Sequence, residues 1–203
     1  MKKILLAITG ASGQIYASKA IDIIHSRQSH SGLQNHSGRQ SHSSLQSHSG
    51  LQNLHLDTVF TDTGKEVWEH ELPNTPIPTA SLDNNSYYHP YCSGSNAADI
   101  MIIMPCTMGT IGRIASGASS DLITRAADVM LKERRPLIIV PRENPFNLIH
   151  LRNLTTLAEA GAIIAPASPS FYTHPADLNT LTDTLVRRIL NIAGIPVPQP
   201  RFQ

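Results

Sequence analysis

Short apolar runs alternate with helical patterns along this chain. Five runs have the length of buried strands, and they cover residues 4–8, 55–61, 100–104, 137–140 and 162–165. Apolar residues spaced three and four apart predict helices at about residues 14–25, 63–72, 123–135, 146–161 and 177–193. Because a strand, a helix and a further strand form a βαβ unit, we expect an α/β protein with a doubly wound, mostly parallel, Rossmann-like sheet in a single domain, residues 1–203.

Small or polar residues follow three of the predicted strands. A glycine-rich turn, Thr9–Gly13, follows the first strand, residues 107–110 follow the third, and Arg142 and Glu143 follow the fourth. Ligands of such sheets bind at the carboxyl ends of the strands, where helix N-termini and Arg side chains suit a phosphate. The turn lacks the Lys of a Walker loop and the third Gly of a dinucleotide motif, so its spacing leaves a phosphate site and a plain turn capped by Ser12 equally open.

Residues 29–52 have a different composition from the rest of the chain. They form four hexapeptides with histidine at a period of six and contain no acidic, aromatic or β-branched residue. Such a segment cannot bury enough apolar surface to offset its chain entropy, so we predict a disordered insertion over residues 26–53. Metal binding by the histidines is a minority alternative. Residues 196–203 are predicted to form a proline-rich tail.

The net charge, the hydropathy and the cysteine content exclude some classes of protein. The net charge is +1, which gives no general attraction to nucleic acid. No apolar run approaches the length of a membrane span. The two cysteines, Cys92 and Cys106, form no Cys-x-x-Cys motif, so we expect free thiols and a cytoplasmic protein.

Several motifs together resemble the UbiX/Pad1 flavin prenyltransferase family. The resemblance covers nearly all of the chain outside residues 26–53 and 73–91, and the run from Arg125 to Glu143 is its most specific part. Where the family usually has a Ser-Lys-Ala-Ala run, this chain has Thr61-Asp62-Thr63-Gly64, which keeps a hydroxyl and loses a lysine. The other matching motifs are Thr9-Gly10-Ala11-Ser12-Gly13, Ser93-Gly94-Ser95, Met104-Pro105-Cys106, His150-Leu151, Phe171-Tyr172 and Arg188-Ile189-Leu190.

The resemblance implies an activity, a fold and an assembly. Enzymes of this family join the dimethylallyl group of dimethylallyl phosphate to N5 and C6 of reduced FMN without a metal. The prenylated FMN is passed to a UbiD-type decarboxylase, as in ubiquinone biosynthesis. The fold is flavodoxin-like, and the family forms homododecamers with sites at subunit interfaces.

The resemblance also implies roles for individual residues, position by position. Residues expected to hold FMN are Gly10, Ala11, Ser12, Thr61, Ser93, Thr107, Met108, Gly109, Thr110 and Arg142. Residues expected to bind the prenyl phosphate, partly from neighbouring subunits, are Arg125, Lys132, Tyr172 and Arg188, with Tyr87 as an aromatic lid. The expected catalytic residues are Ser12, Lys132, Glu143 and Tyr172, and Glu71 matches a family acid.

Two other functions remain open at this stage. One is a flavin-dependent decarboxylase of cysteinyl peptides with the same fold, although Pro105-Cys106-Thr107 lacks the Asn that such enzymes use. The other is a non-catalytic FMN-binding subunit of a decarboxylase system. The presence of Lys132, Glu143, Tyr172 and Arg188 favours an active enzyme over this second alternative.

Overall fold

Five parallel strands form one sheet in the order β2-β1-β3-β4-β5. The computed structural model describes residues 1–33 and 54–199. The strands are β1 Lys2–Ile8, β2 Leu54–Phe60, β3 Ile100–Cys106, β4 Leu137–Pro141 and β5 Ile163–Ile164. The helices are α1 Gln14–Leu33, α2 Asp62–Glu71, α3 Met108–Ala115, α4 Leu122–Lys132, α5 Leu148–Glu159 and α6 Leu178–Ile192. This strand order is that of flavodoxin-like folds and confirms the predicted fold class.

Each face of the sheet is covered by a separate apolar core. Alternate residues of a strand point to opposite faces, so Leu5 and Ile103 pack with α3 and α4, whereas Leu6 and Ile102 pack with α1 and α6. The central strand β3 is buried along its whole length. Its continuous apolar run was therefore a correct signal of a strand covered on both faces.

Two details of the predicted helices were wrong. Helix α1 continues to Leu33 rather than ending at residue 25, so it enters the predicted insertion. Two helices, α3 and α4, stand where one was predicted, and α3 begins directly after Thr107. On α5, Leu148 and Leu151 are 59% and 48% exposed, and Leu157 is the buried residue of that helix.

The remainder of the predicted insertion, residues 34–53, lies outside the described residues, as do residues 200–203 of the predicted tail. The first part of that tail docks on α6, where Asn191 Oδ1 accepts a hydrogen bond of 3.1 Å from Val197 N. Within the ranges that the structure describes, no helix is long and apolar enough to cross a membrane, and no group of histidine, cysteine and acidic side chains could hold a metal.

Candidate functional site

The site lies where the strand order reverses, between β1 and β3. Helix α1 leaves the sheet on one face and α3 on the other, which opens a crevice at the carboxyl ends of these two strands. The hydroxyl of Thr9, which follows β1, donates a hydrogen bond of 2.9 Å to Pro105 O and accepts one of 2.8 Å from Thr107 N. This buried threonine therefore ties the glycine-rich turn of residues 9–13 (the Gly10 turn) to residues 107–110 after β3 (the Thr107 loop).

The loop after β3 offers hydroxyls and open backbone. Thr107 caps α3, since its Oγ1 accepts a hydrogen bond of 3.1 Å from Thr110 N and donates one of 3.0 Å to Thr110 Oγ1. Gly109 is exposed, and a Cβ built there would lie 3.9 Å from its nearest neighbour, Thr107 Oγ1. The backbone at Gly109 is thus accessible to a ligand.

The Gly10 turn packs closely against the start of α2. Thr61 caps α2, and its hydroxyl accepts a hydrogen bond of 3.0 Å from Gly64 N. A Cβ on Gly10 would lie 2.6 Å from Thr63 Oγ1, so a larger residue at this position would force the turn and the helix apart. The fold therefore brings Gly10 and Thr61, two of the predicted FMN-binding residues, to the same edge of the sheet.

Glu71, at the end of α2, binds the N-terminus of α1. Its carboxylate accepts hydrogen bonds of 2.9 Å from both Gly13 N and Gln14 N. Burial acts to raise the pKa of Glu71, but hydrogen bonds from Ser12, Gln14 and Gly13 and the positive charge of Arg142 outweigh it and hold this pKa below its ordinary value. Glu71 therefore occupies two N–H groups at this helix N-terminus within the protomer.

Arg142 and Glu143 leave the end of β4 as predicted. Arg142 N donates a hydrogen bond of 3.3 Å to Cys106 O, which places Arg142 beside the loop that follows β3. Its side chain is exposed, and its charge acts to lower the pKa of both Glu71 and Tyr16, although burial raises the pKa of Tyr16 overall. Glu143 is also exposed, and its Oε1 accepts a hydrogen bond of 3.0 Å from Asn144 N.

Lys132 and Ser93 lie on the opposite side of the protomer. Lys132 ends α4 near the amino edge of the sheet, where Pro136 O accepts a hydrogen bond of 3.0 Å from Met101 N at the start of β3. Its Nζ is 2.6 Å from Glu133 Oε1 and would lie 2.9 Å from a Cβ on Gly94, the neighbour of Ser93. The protomer therefore separates Lys132 from Arg142 and Glu143, with which it was expected to act.

The remaining predicted substrate residues are spread over the surface. Arg125, in the first turn of α4, pairs with Asp128 at 2.9 Å. Tyr87 and Tyr172 are 47% and 48% exposed, and Arg188 is exposed on α6. These side chains are accessible at the surface of the protomer.

Three residues of the site were missed by the sequence analysis. Thr9 and Gln14 are fully buried at the Gly10 turn, where Gln14 Nε2 donates to two backbone carbonyls. Arg113 joins α3 to α4, with its Nη1 2.5 Å from Asp121 Oδ2. Thr9 and Gln14 could have been found from the sequence, because each is a polar residue directly after a strand or a glycine-rich turn. The partner of Arg113 could not, because it depends on the separation of α3 and α4.

The sequence of this chain matches a known protein family along most of its length. A family model described as Flavoprotein matches residues 1–190. The flavin prenyltransferase UbiX of Methanocaldococcus jannaschii is 37% identical over 198 residues, which are 95% of this chain and 94% of that protein. The flavin prenyltransferase LpdB of Lactiplantibacillus plantarum is 38% identical and covers 94% of this chain and 92% of its own length.

Two solved structures also have a fold similar to that of this chain. The crystal structure of AnUbiX (PadA1) in complex with FMN and dimethylallyl pyrophosphate has a TM-score of 0.79, is 31% identical, and covers 100% of this chain and 99% of its own. A dodecameric FMN-dependent UbiX-like decarboxylase from Escherichia coli has a TM-score of 0.77, is 29% identical, and covers 99% of both chains. The fold thus matches these proteins along their whole length.

Proposed function

We infer that this chain, which belongs to the flavin prenyltransferase UbiX family of flavoproteins, joins the dimethylallyl group of dimethylallyl phosphate to FMN. The observation that carries this function is the crevice between β1 and β3, where the Gly10 turn, the Thr107 loop and Arg142 meet in a chain that matches prenyltransferases over nearly its whole length. Neither a cysteine decarboxylase nor a non-catalytic flavin-binding subunit is favoured by these relatives.

The residues of the crevice fit FMN. Gly109 leaves the backbone open, the hydroxyls of Thr107 and Thr110 lie together, and the exposed guanidinium of Arg142 suits a phosphate. Because Glu71 holds two N–H groups of α1, we assign the FMN phosphate to the Thr107 loop and Arg142 rather than to the α1 N-terminus. Ser12 and Thr61 border the same crevice and complete the set.

The prenyl donor is proposed to bind where two copies of the chain meet. When bound, reduced FMN supplies N5 and C6 as the atoms that accept the prenyl group. Lys132 and Arg125 of one copy would face the crevice of another, because Lys132 lies at the opposite edge of its own sheet. A homo-oligomer, as in the dodecameric relative, would bring these cations to the site.

The proposed residue roles follow from the charge that develops in the reaction. Breaking the allylic C–O bond builds negative charge on the departing phosphate, so the cations of Lys132, Arg125 and Arg188, together with the hydroxyl of Tyr172, would stabilise it. Tyr87 would shield the prenyl group from water and offer its π face to positive charge. Glu143 and Ser12 would bind and move a proton beside the flavin.

The product would be consumed by a second enzyme. We propose a UbiD-type decarboxylase as the recipient of the prenylated FMN, in ubiquinone biosynthesis or a related decarboxylation. This partner rests on the family resemblance and not on a surface of the protomer.

The proposed function has a direct test. The purified protein is mixed anaerobically with reduced FMN and dimethylallyl phosphate, and the extracted flavin is weighed by mass spectrometry. We expect a flavin heavier than FMN by one prenyl group, and none when the prenyl donor is omitted. Binding of FMN without any mass change would support the non-catalytic alternative, and failure to bind FMN would contradict both.

A further inference from the structure

Gln14 carries a fully buried amide beside the Gly10 turn of the proposed FMN site. It is the first residue of α1, and its exposed fraction is 0%. Its Nε2 donates hydrogen bonds of 2.9 Å to Thr9 O and 2.8 Å to Ala11 O. Its backbone N–H donates to Glu71 Oε2 at 2.9 Å. One residue therefore joins both sides of the Gly10 turn to the carboxylate that holds α1.

The direction of these hydrogen bonds determines which groups of the turn face the crevice. In a trans peptide, the C=O of one residue and the N–H of the next point in opposite directions. The peptides after Thr9 and Ala11 are trans, so holding Thr9 O and Ala11 O on the buried amide turns the N–H groups of Gly10 and Ser12 away from it. Among the residues that the structure describes, neither of these two N–H groups has a hydrogen-bond partner.

The buried amide of Gln14 leaves one of its polar atoms without a hydrogen bond. Gln14 Oε1 is buried and has no partner in the described part of the chain. An apolar side chain of the same size would avoid that unpaired acceptor, so packing alone does not explain a glutamine here. An apolar residue could not supply the two hydrogen bonds that Gln14 Nε2 donates.

We propose that Gln14 is a positioning residue that shapes the Gly10 turn so that Gly10 N–H and Ser12 N–H are presented to FMN as a pair of donors. Gln14 itself touches neither FMN nor the prenyl donor. This inference rests on the proposed function, because it concerns the same FMN site.

The test on the native protein is backbone amide hydrogen exchange, with and without FMN. We expect exchange at Gly10 and Ser12 to be fast in the free protein and to slow when FMN is added. Exchange at Gly13 and Gln14 should be slow in both states, because Glu71 holds these N–H groups. FMN that binds without slowing exchange at Gly10 and Ser12 would overturn the inference and leave the proposed function intact.

A variant pair separates positioning from general stability. Gln14→Met keeps the size of the side chain and removes both donors, so we expect the Kd for FMN to rise about tenfold and the absorption spectrum of bound FMN to shift. The matched control is Asn191→Leu, which removes an amide that donates at 2.9 Å to Arg187 O and at 2.9 Å to Val197 O, on α6. It should lower the Tm without changing the Kd or the spectrum.

Two outcomes of the variant experiment contradict the inference. One is a Gln14→Met protein whose Tm falls while its Kd and flavin spectrum match those of the wild type. The other is an Asn191→Leu protein that loses FMN affinity as strongly as Gln14→Met does. If wild-type protein binds no FMN, the proposed function itself is wrong and this inference falls with it.

Discussion

At the scale of single residues, Glu71 accepts hydrogen bonds from two N–H groups at the N-terminus of α1. The two partners, Glu71 and Gly13, are 58 positions apart in the chain. A carboxylate at a helix N-terminus is favourable for the same reason as a phosphate, because both are anions near the positive end of the helix dipole. The carboxylate of Glu71 therefore satisfies two N–H groups that could also bind an anionic ligand.

Glu71 should make stability depend on pH. Its pKa is lower in the folded state, so it contributes stability at neutral pH that is lost as pH falls through the range in which carboxylates take up a proton. We expect Glu71→Gln to be less stable than the wild type at neutral pH and the difference to shrink as pH falls, measured by urea unfolding at several pH values. Glu69→Gln, an exposed acid on the same helix, should show no such trend.

Arg188 should act on the prenyl donor and not on FMN. Arg188→Ala should raise the KM for dimethylallyl phosphate and lower kcat, because one charged hydrogen bond contributes about 1.5–3 kcal/mol, or roughly ten- to a hundredfold. The affinity for FMN, measured by fluorescence titration, should hardly change, since other residues hold that phosphate. A variant that loses FMN affinity with an unchanged KM would contradict this assignment.

The neighbouring Arg187 supplies a contrasting variant. Its Nη2 is 3.1 Å from Asp183 Oδ2, and its Nη1 donates a hydrogen bond of 3.1 Å to Pro198 O, so it holds the C-terminal segment on α6. Arg187→Ala should lower the Tm with little effect on KM. Equal damage to KM from both variants would mean that Arg188 acts through the helix and not through the donor.

At the scale of elements, α4 is held most firmly at its N-terminus. Asp121 and Thr124 form a capping box. The backbone carbonyl of Asn84 accepts a hydrogen bond of 2.8 Å from Leu122 N, and its side-chain oxygen accepts one of 3.1 Å from Ile123 N. This helix carries Arg125 and Lys132, the proposed prenyl-phosphate cations. The N-terminal caps therefore fix the position of α4 and of the two cations that it carries.

Asp121→Ala should destabilise the protein by about 1–2 kcal/mol, because it removes an N-cap and the partner of Arg113. The measurement is the free energy of unfolding in urea. Asp177→Ala is the matched control, since Asp177 caps α6 in the same way but is exposed and has no such arginine partner in the described residues. A loss as large in Asp177→Ala as in Asp121→Ala would show that the contact with Arg113 adds nothing.

At the scale of the whole molecule, the protomer divides the proposed site between two edges of its sheet. Arg142 and Glu143 follow β4 at the carboxyl edge, whereas Lys132 ends α4 near the amino edge. A single chain cannot bring these groups together without rearranging the sheet. The proposed activity therefore depends on assembly.

Co-expression of two inactive variants tests this division. Arg142→Ala and Lys132→Ala should each abolish prenyl transfer alone. Random mixed oligomers should regain about a quarter of the activity, because about a quarter of the sites then combine an intact Arg142 from one chain with an intact Lys132 from another. The control is co-expression of Arg142→Ala with Glu143→Gln, whose changes share one edge, and it should regain none. No recovery in the first mixture would mean that each chain builds its site alone.

The sequence by itself determined the fold class and the positions of the binding loops. Buried parallel strands need continuous apolar runs, and those runs are visible locally, as in β3 and β4. The residues that follow such strands must meet at one edge of the sheet, so the Gly10 turn, the Thr107 loop and Arg142 could be predicted as a group.

Only the tertiary structure decided how these loops are held and which groups remain free. The hydrogen bonds of Glu71 and Gln14, and the contact that ties Thr9 to Pro105, depend on how separate elements pack. Local patterns specify which face of an element is buried, but the partners of a polar side chain are set by packing between segments that lie far apart in the chain.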